Sequence, residues 1–203
     1  MKTILSLLLI CTIAFSQKAI AVVKKAKGSV TISHNGKDKK VKRGTRIYHD
    51  DKLSTGKKSL VAFVFLDDKS LVRVRQNSIF KVKGEREQNN IAKNIVMEIG
   101  DVFASVAKQK GRFRVESPTS VASVKGTEFS VEFNNGISTT YVFEGSVEVS
   151  SKKGGKSETL GEGEKASADG DGNLNKSAMT EADKNKKNDD LGDIPTEVIF
   201  NLE

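Results

Sequence analysis

Apolar and polar residues alternate with a period of two along most of this chain, and this alternation restricts the fold more than any other feature. Phe113 and Val115 alternate with charged residues, and Phe129 and Val131 alternate with glutamate and serine. Successive side chains of a β-strand point to opposite faces, so each run predicts a strand with one face on a core. The stretch 60–66 is apolar throughout, which predicts a strand buried on both faces.

Turn-forming dipeptides separate the alternating runs at intervals of roughly ten residues, a spacing typical of an all-β domain. A glycine followed by apolar alternation recurs at Gly28, Gly100 and Gly145, which suits short strands stacked into a β-roll or solenoid-like domain. Residues 88–96 are polar enough to be a loop or a loosely held strand. The turn signals are Asn35-Gly36, Thr55-Gly56, Asp67-Asp68, Lys83-Gly84, Asn134-Asn135-Gly136 and Gly154-Gly155.

The first residues resemble an export signal. A basic start is followed by a mostly apolar stretch at 4–15, which is short of the roughly 20 residues that cross a bilayer as a helix. Ala19-Ile20-Ala21 gives the small-x-small pattern of a signal-peptidase site and predicts cleavage before Val22, which would make the protein periplasmic or secreted. A lipid anchor at Cys11 is the competing hypothesis, because residues 8–11 loosely resemble a lipobox. No apolar run in the mature chain is long enough for a transmembrane helix.

The alternating pattern ends near residue 161. The chain then becomes rich in glycine and acids, and residues 177–191 predict one polar helix that ends before Pro195. Residues 198–202 form a short apolar stretch able to dock as a last strand. The predicted division is a signal peptide over 1–21, a β domain over 22–163 and an acidic, weakly structured or docked tail over 164–203.

Charge is distributed unevenly. Residues 22–58 contain 12 Lys or Arg against 3 Asp, a net of +9, whereas residues 169–203 contain 4 Lys against 9 acids, a net of −5. The basic half either faces an anionic partner or forms solvated strand faces. For an exported protein that partner would be an envelope protein or an anionic envelope polymer, and nucleic acid is not expected. The candidate contact residues are Lys39, Lys40, Lys42 and Arg43.

The histidine and cysteine content argues against most metalloenzymes and thiol enzymes. Cys11 is the single cysteine, and His34 and His49 each adjoin a turn-forming segment. An Asp-x-Asp-x-Asn run at 169–173 resembles the start of a calcium loop, but Leu174 stands where such a loop needs glycine. No Gly-x-Ser-x-Gly nucleophile elbow occurs. We therefore predict no catalytic residue, no metal site and no cofactor.

An ordered set of motifs resembles the FecR-like domain family. Residues 113–131 fit its central signature, F-x-V, a Ser/Thr-Pro pair and V-x-G-T-x-F-x-V. Upstream, the family's L-x-T-G segment resembles residues 53–56 and its L-x-D-x-S segment resembles residues 66–72. Residues 99–102 lie where the family has an L-x-x-G-x-V stretch. Downstream, residues 141–149 resemble its V-x-E-G-x-V-x-V ending. The motif residues, for which we predict structural roles, are Thr55, Gly56, Pro118, Gly126, Thr127, Phe129, Glu144 and Gly145.

The resemblance implies an extracytoplasmic β-rich domain. Well-known relatives are transmembrane regulators of iron-siderophore signalling, in which a cytoplasmic segment controls a sigma factor and the FecR-like domain senses a transporter. This sequence shows no such segment, no apolar span of the required length and little chain after Val149, which argues against direct anti-sigma activity.

The function predicted from the sequence is a non-catalytic protein- or glycan-binding or scaffold module of the cell envelope. The alternative is a signalling component that modulates an envelope sigma/anti-sigma or TonB-type transporter pathway. An enzyme is the third hypothesis. The sequence leaves the ligand and the oligomeric state open.

Overall fold

The computed structural model describes residues 17–87, 90–108 and 111–191. These residues form seventeen strands and one helix, which confirms the predicted all-β fold with a C-terminal helical segment. The elements are β1 (Ala21–Lys27), β2 (Val30–His34), β3 (Lys37–Lys40), β4 (Arg46–Ile47), β5 (Asp51–Thr55), β6 (Leu60–Phe65), β7 (Leu71–Val74), β8 (Ile79–Glu87), β9 (Asn90–Ser105), β10 (Phe113–Glu116), β11 (Ser120–Val124), β12 (Glu128–Asn134), β13 (Ile137–Glu144), β14 (Val147–Ser151), β15 (Ser157–Leu160), β16 (Glu164–Ala168), β17 (Leu174–Ala178) and α1 (Glu181–Leu191).

The strands lie in two layers that share β9. Layer A has the order β4-β1-β6-β7-β9-β12-β13-β16-β17, and layer B has the order β3-β2-β5-β8-β9-β10-β11-β14-β15. The strand passes from layer B to layer A at Gly100, whose φ of 117° is accessible to glycine. Because β9 is the central strand of both layers, β1–β8 lie on one side of it and β10–β17 on the other.

The core lies between the two layers and is joined by a chain of phenylalanine contacts. Phe80 of layer B stacks on Phe63 of layer A with ring centroids 6.2 Å apart. Phe63 contacts Phe65, Phe65 contacts Phe113 of layer B at 6.0 Å, and Phe113 contacts Phe129 of layer A at 6.2 Å. All five side chains are buried. This interdigitation is what the period-two pattern predicts for two sheets packed face to face.

Two of the predicted Asn-Gly turns are present as tight hairpins. Asn35 and Gly36 join β2 to β3, and Asn135 and Gly136 join β12 to β13, each pair with positive φ at both residues. The prediction of a turn at Lys83-Gly84 is wrong, because Gly84 lies inside β8. A Cβ there would come within 2.7 Å of the Ile20 side chain, so this glycine permits close packing.

The structure confirms some of the remaining predictions about individual segments and changes others. The strand predicted over 60–66 is confirmed for Leu60–Phe65, where β6 is buried on both faces, but Leu66 lies beyond the strand and is exposed. Residues 90–96, read as a loop or a loosely held strand, belong to β9, while 88–89 lie outside the described residues. Beyond residue 163 the structure adds β16 and β17, whose Ala166, Ala168 and Leu174 reach the core. Residues 198–202 lie outside the described part of the chain.

Residues close to the start of the described range are already buried in the core. Ile20 is buried, its N–H donates to the Ile47 carbonyl, and its own carbonyl accepts from the Leu66 N–H. Ala21 is the first residue of β1 and is also buried. Cleavage before Val22 would therefore fall within a strand and remove two buried residues, and the cleavage site stays a prediction. Cys11 lies outside the described residues.

Helix α1 begins with a capping box. The Thr180 hydroxyl accepts from the Asp183 N–H, and the Asp183 carboxylate accepts from the Thr180 N–H at 2.8 Å. Burial alone would raise the pKa of Asp183, but hydrogen bonds from Lys165 and Thr180 lower it to about 2. In the part of the chain that the structure describes, no helix has the length and apolar content to cross a membrane.

Candidate interaction surfaces

The predicted contact residues lie together at one edge of the molecule. Lys39 and Lys40 are on β3, the outermost strand of layer B, and Lys42 and Arg43 are in the turn that follows it. All four side chains are exposed. Lysines on an edge strand also discourage pairing with a second sheet, so the position is explained without a ligand. Their role as a contact surface stays a prediction.

Two cavities on the outer face of layer B form one basic groove. The larger, of about 590 Å³, and the smaller, of about 260 Å³, share Arg112 and Arg114 in their walls. Lys125 lines the first cavity and Lys83 the second, and each cavity also contains one glutamate. We call this surface the basic groove. Guanidinium groups offer paired donors that match carboxylates, so it is suited to an acidic ligand.

A triad of buried, charged side chains links the two layers beside the groove. The Lys93 ammonium on β9 lies 2.7 Å from the carboxylates of Asp67 and Asp68, which follow β6 of layer A. It also lies 5.4 Å from the ring centroid of Phe65. All three charged side chains are almost fully buried, and the Ile91 N–H donates to Asp67 at 2.8 Å. The buried Lys93 ammonium is tolerated because both carboxylates lie within hydrogen-bonding distance of it.

The sequence interpretation missed this triad. Lys93 is in phase with Ile91, Ile95 and Met97, all of which are buried in the core. An inward-phase lysine in an alternating run is the signal that would have indicated a buried ion pair. The polar composition of residues 88–96, which favours a loop or a loosely held strand, hides this phase.

A third feature is a cleft beside the bend in β9. The cleft encloses about 350 Å³, and Arg75, Gly100, Asp101 and Glu132 are among its lining residues. Burial raises the pKa of Asp101 to about 6, although the Arg75 guanidinium, 3.7 Å away, acts in the opposite direction. Nearby Glu132 adds to the rise. The cleft thus contains a carboxyl group whose pKa, at about 6, lies above the ordinary value for aspartate.

The histidines occupy structural positions. His34 Nδ1 lies 2.5 Å from the buried Asp51 carboxylate, which also accepts the Tyr48 N–H at 2.8 Å. His49 hydrogen-bonds the backbone of Gly84 in β8. These contacts join the turn after β4 to strands β2 and β8. Among the described residues, no group of three His, Cys, Asp or Glu side chains is arranged to hold a metal ion.

The Asp-x-Asp-x-Asn run forms a tight turn between β16 and β17. The Asp169 carboxylate accepts the N–H groups of Asp171 and Asn173 at 2.9 and 3.0 Å. The Asn173 side chain donates to the same carboxylate, and these hydrogen bonds lower the pKa of Asp169. The geometry is that of an aspartate closing a turn around its own backbone.

The first motif pair holds the turn between β7 and β8. The Thr55 hydroxyl donates to the Arg75 carbonyl and accepts the Ser78 N–H at 3.0 Å. The Thr55 N–H donates to the Ser78 carbonyl, and the Gly56 N–H donates to the Ser29 carbonyl, both at 2.9 Å. One Thr-Gly pair therefore ties together three segments that are distant in sequence.

The second group of motif residues forms a close contact between two turns. Gly126 and Gly145 have φ values of 70° and 82°, and a Cβ on Gly145 would lie 2.9 Å from the Gly126 carbonyl oxygen. The Thr127 hydroxyl donates to the Ser146 carbonyl at 2.9 Å. Phe129 is in the core. The two turns approach so closely that position 145 needs glycine, whereas a Cβ on Gly126 would instead meet the Lys108 side chain at 2.4 Å.

The two remaining motif residues lie at the surface. Pro118 is exposed in the turn between β10 and β11, and Glu144 is exposed at the end of β13. The turn around Pro118 is closed by the Ser117 N–H, which donates to the Ser120 carbonyl at 2.9 Å.

Comparison with protein families gives a match to the FecR protein family over residues 51–148. The chain contains a FecR domain. The matched range runs from the first residue of β5 into β14. No curated protein matches the chain.

Two crystal structures of a candidate anti-sigma factor from Parabacteroides distasonis ATCC 8503, at 2.50 and 1.65 Å resolution, are similar in fold to this chain. Each is 19% identical to this chain, with TM-scores of 0.55 and 0.53. The similarity covers 68% of this chain and 62% of the solved proteins, so the chain spans about three fifths of the structures it matches.

The FecR domain contains most of the features described above. The basic groove is built mainly from its strands, and the charged triad and the bend in β9 lie entirely within it. The exposed basic residues Lys39, Lys40, Lys42 and Arg43 precede the matched range. Among these features, the groove is therefore the FecR-domain surface whose chemistry is best suited to an acidic partner.

Proposed function

We propose that this protein is a non-catalytic component of envelope signalling that acts by binding another protein. The observation that carries the proposal is the FecR family match over 51–148, together with the fold shared with a candidate anti-sigma factor. The motif residues support it, because the described contacts of Thr55, Gly56, Gly126 and Gly145 hold turns and expose no reactive group. A rigid scaffold of this kind acts through its surface.

Within this proposal the basic groove is the partner-binding surface. Arg112 and Arg114 line both cavities and are flanked by Lys83 and Lys125. Such a groove fits an extended acidic segment of a protein, whose carboxylates would form charge-assisted hydrogen bonds with the guanidinium groups. Opposite charges at the rim would also accelerate association at low salt.

Export to the envelope is part of the same proposal. It rests on the leader-like residues 1–16, which precede the described fold. Cell fractionation and the intact mass of the recovered protein test it. A full-length cytoplasmic product would contradict export.

Site-specific photo-crosslinking in cells tests the binding role. A benzophenone amino acid at Arg114 in the groove should capture one dominant membrane regulator or transporter. The same probe at Asn175, exposed on β17 of layer A, is the matched control and should not capture it. Capture of cell-wall fragments instead would support the glycan-binding or scaffold module predicted from the sequence, and equal capture from both positions would contradict a role for the groove.

A transcriptional measurement tests the signalling role separately. Deleting the gene should change the expression of a set of genes under an alternative sigma factor, and Arg114→Glu should reproduce the change while the protein level stays the same. An unchanged transcriptome in both strains would contradict the signalling role.

A further inference from the structure

The charged triad contains the groups needed to form a covalent bond between two side chains. Lys93 supplies an amine, Asp67 and Asp68 each supply a carboxyl group, and the Lys93 Nζ atom lies 2.7 Å from an oxygen of each. At an ordinary hydrogen-bond angle, a nitrogen at this distance lies about 3.5 Å from the carboxyl carbon, which is the separation of a near-attack arrangement. The reacting groups of an amide condensation are thus already in contact.

The two carboxylates differ in their hydrogen bonds, and the difference gives them different roles. Asp67 Oδ2 accepts from Lys93 and from the Ile91 N–H, whereas Asp67 Oδ1 is buried and has no hydrogen-bond partner in the described part of the chain. Asp68 uses both oxygens, since Oδ1 accepts the Ser70 N–H at 2.8 Å and Oδ2 accepts from Lys93. The Ile91 N–H is placed to stabilise negative charge on Asp67 Oδ2, and the unbonded Oδ1 is the oxygen that can leave.

The surroundings of the triad exclude water. The side chains of Lys93, Asp67 and Asp68 are 2, 6 and 5% exposed. The fully buried ring of Phe65 has its centroid 5.4 Å from the Lys93 ammonium, and the Ile91 carbonyl accepts from the same ammonium at 3.2 Å. A dry interior favours the neutral forms of an amine and a carboxyl group over the ions. It also protects an amide from hydrolysis once the amide has formed.

We propose that Lys93 and Asp67 condense to an intramolecular amide, with Asp68 as the proton acceptor. The Lys93 ammonium transfers one proton to Asp67, which gives a neutral amine and a carboxylic acid. The nitrogen lone pair attacks the Asp67 carboxyl carbon, and the nitrogen gives a further proton to Asp68. That proton passes to the hydroxyl group on the Asp67 carbon, and water leaves. One C–N bond forms, one C–O bond breaks, and Asp68 returns to a carboxylate, so the reaction needs no oxidant or co-reactant.

The amide would join the turn after β6 in layer A to β9, the central strand of both layers. Cys11 is the single cysteine of residues 1–203, so these residues cannot form an internal disulfide. An amide is a cross-link that reduction does not break. The ion-paired triad is the reactant, and the covalent bond replaces the Lys93–Asp67 ion pair as the reaction proceeds. The inference is independent of the proposed function, because no partner and no part of the basic groove enters it.

Intact-mass measurement tests the proposal. The full chain is made by cell-free synthesis, kept unfolded in urea and then folded by dilution, so that the reaction starts at a known time. The folded chain should lose about 18 Da, the mass of one water, while a sample kept in urea should retain its full mass. After digestion with trypsin, the peptide 59–69 should be joined to the peptide 87–108, because trypsin does not cleave after an acylated Lys93. An unchanged mass after prolonged incubation of the folded chain would overturn the proposal, as would a bond from Lys93 to any residue other than Asp67.

Two substitutions and one internal control separate the chemistry from folding. Lys93→Arg keeps a cation but offers no amine to acylate, so its mass should not change. Asp68→Asn should slow the loss of water roughly 100-fold, because the proton acceptor is removed. Lys52 and Glu98 lie 2.8 Å apart but about half exposed, and they should stay unlinked. Circular dichroism and thermal unfolding establish that each variant is folded. Water loss from Lys93→Arg, a parent-like rate in Asp68→Asn, or a Lys52–Glu98 link would contradict the roles assigned to the buried groups.

Discussion

Replacing Lys93 with methionine is expected to lower the free energy of unfolding by about 3–5 kcal/mol, because the change leaves buried carboxylates without their cation. The ammonium lies 2.7 Å from both Asp67 and Asp68, and the three side chains are 2–6% exposed. It also donates to the Ile91 carbonyl at 3.2 Å. Methionine keeps most of the side-chain volume, so the loss reports on charge more than on packing.

Urea unfolding followed by circular dichroism measures this loss. With a slope of about 2 kcal/mol per molar urea, the midpoint should fall by about 1.5–2.5 M. The matched control is Lys52→Met, which breaks the bridge to Glu98, where both side chains are about half exposed. That change should cost less than about 1 kcal/mol.

Neutralising the whole triad completes the test. The triple variant Lys93→Met, Asp67→Asn, Asp68→Asn should regain most of the lost stability, because no buried charge then lacks a partner. A cost below about 1 kcal/mol for Lys93→Met would refute the reasoning that the triad is a buried, mutually dependent set of charges. A triple variant as unstable as the single one would instead assign the loss to packing of the lysine stem.

Three further predictions follow from the fold. Burial holds the pKa of Asp101 at about 6, above its ordinary 3.8, so the folded protein binds this proton more tightly than the unfolded chain, and stability should fall as pH rises from about 4 to 6. Asp101→Asn should flatten that part of a profile of urea midpoint against pH. An unchanged profile would contradict the assignment. Gly145→Ala should cost at least about 1 kcal/mol more than Gly136→Ala, since both residues have positive φ but a Cβ at 136 meets open space; equal melting temperatures would be inconsistent with the close contact. A chain beginning at Gln17 should be more stable than one beginning at Val22 by about 2 kcal/mol or more, because the shorter chain lacks a buried isoleucine, and equal stability would show that these residues are dispensable.

The strand content was predictable because alternation is a local property. Phe129 and Val131 face the core as their period-two run requires, and Asn135-Gly136 forms the hairpin that this dipeptide favours. Gly84 could not be interpreted correctly from its neighbours, since the reason for glycine there is the side chain of Ile20, more than sixty positions away. The same limit applies to the passage of β9 between the layers at Gly100, which depends on pairing with four other strands.

The surfaces were less predictable than the strands. The basic groove combines Lys83 of β8 with Arg112 and Arg114, and the two sides meet only because β9 lies between β8 and β10. Charge counted along the chain instead favours Lys39 and Lys40, because lysines are frequent in that part of the sequence. The density of basic residues along the sequence and their density on the folded surface differ most in a fold with many non-local strand pairs.

The central position of β9 turns the charge asymmetry of the sequence into an electrical asymmetry of the molecule. Residues 22–58, with a net charge of +9, lie on one side of this strand, and residues 169–191, with 4 Lys against 6 acids, lie on the other. Such a separation gives the protein a permanent dipole, which a charged surface or partner can align before contact. Approach would then be oriented, with the β3 and β4 edges leading towards an anionic surface, and the orientation would weaken as ionic strength rises.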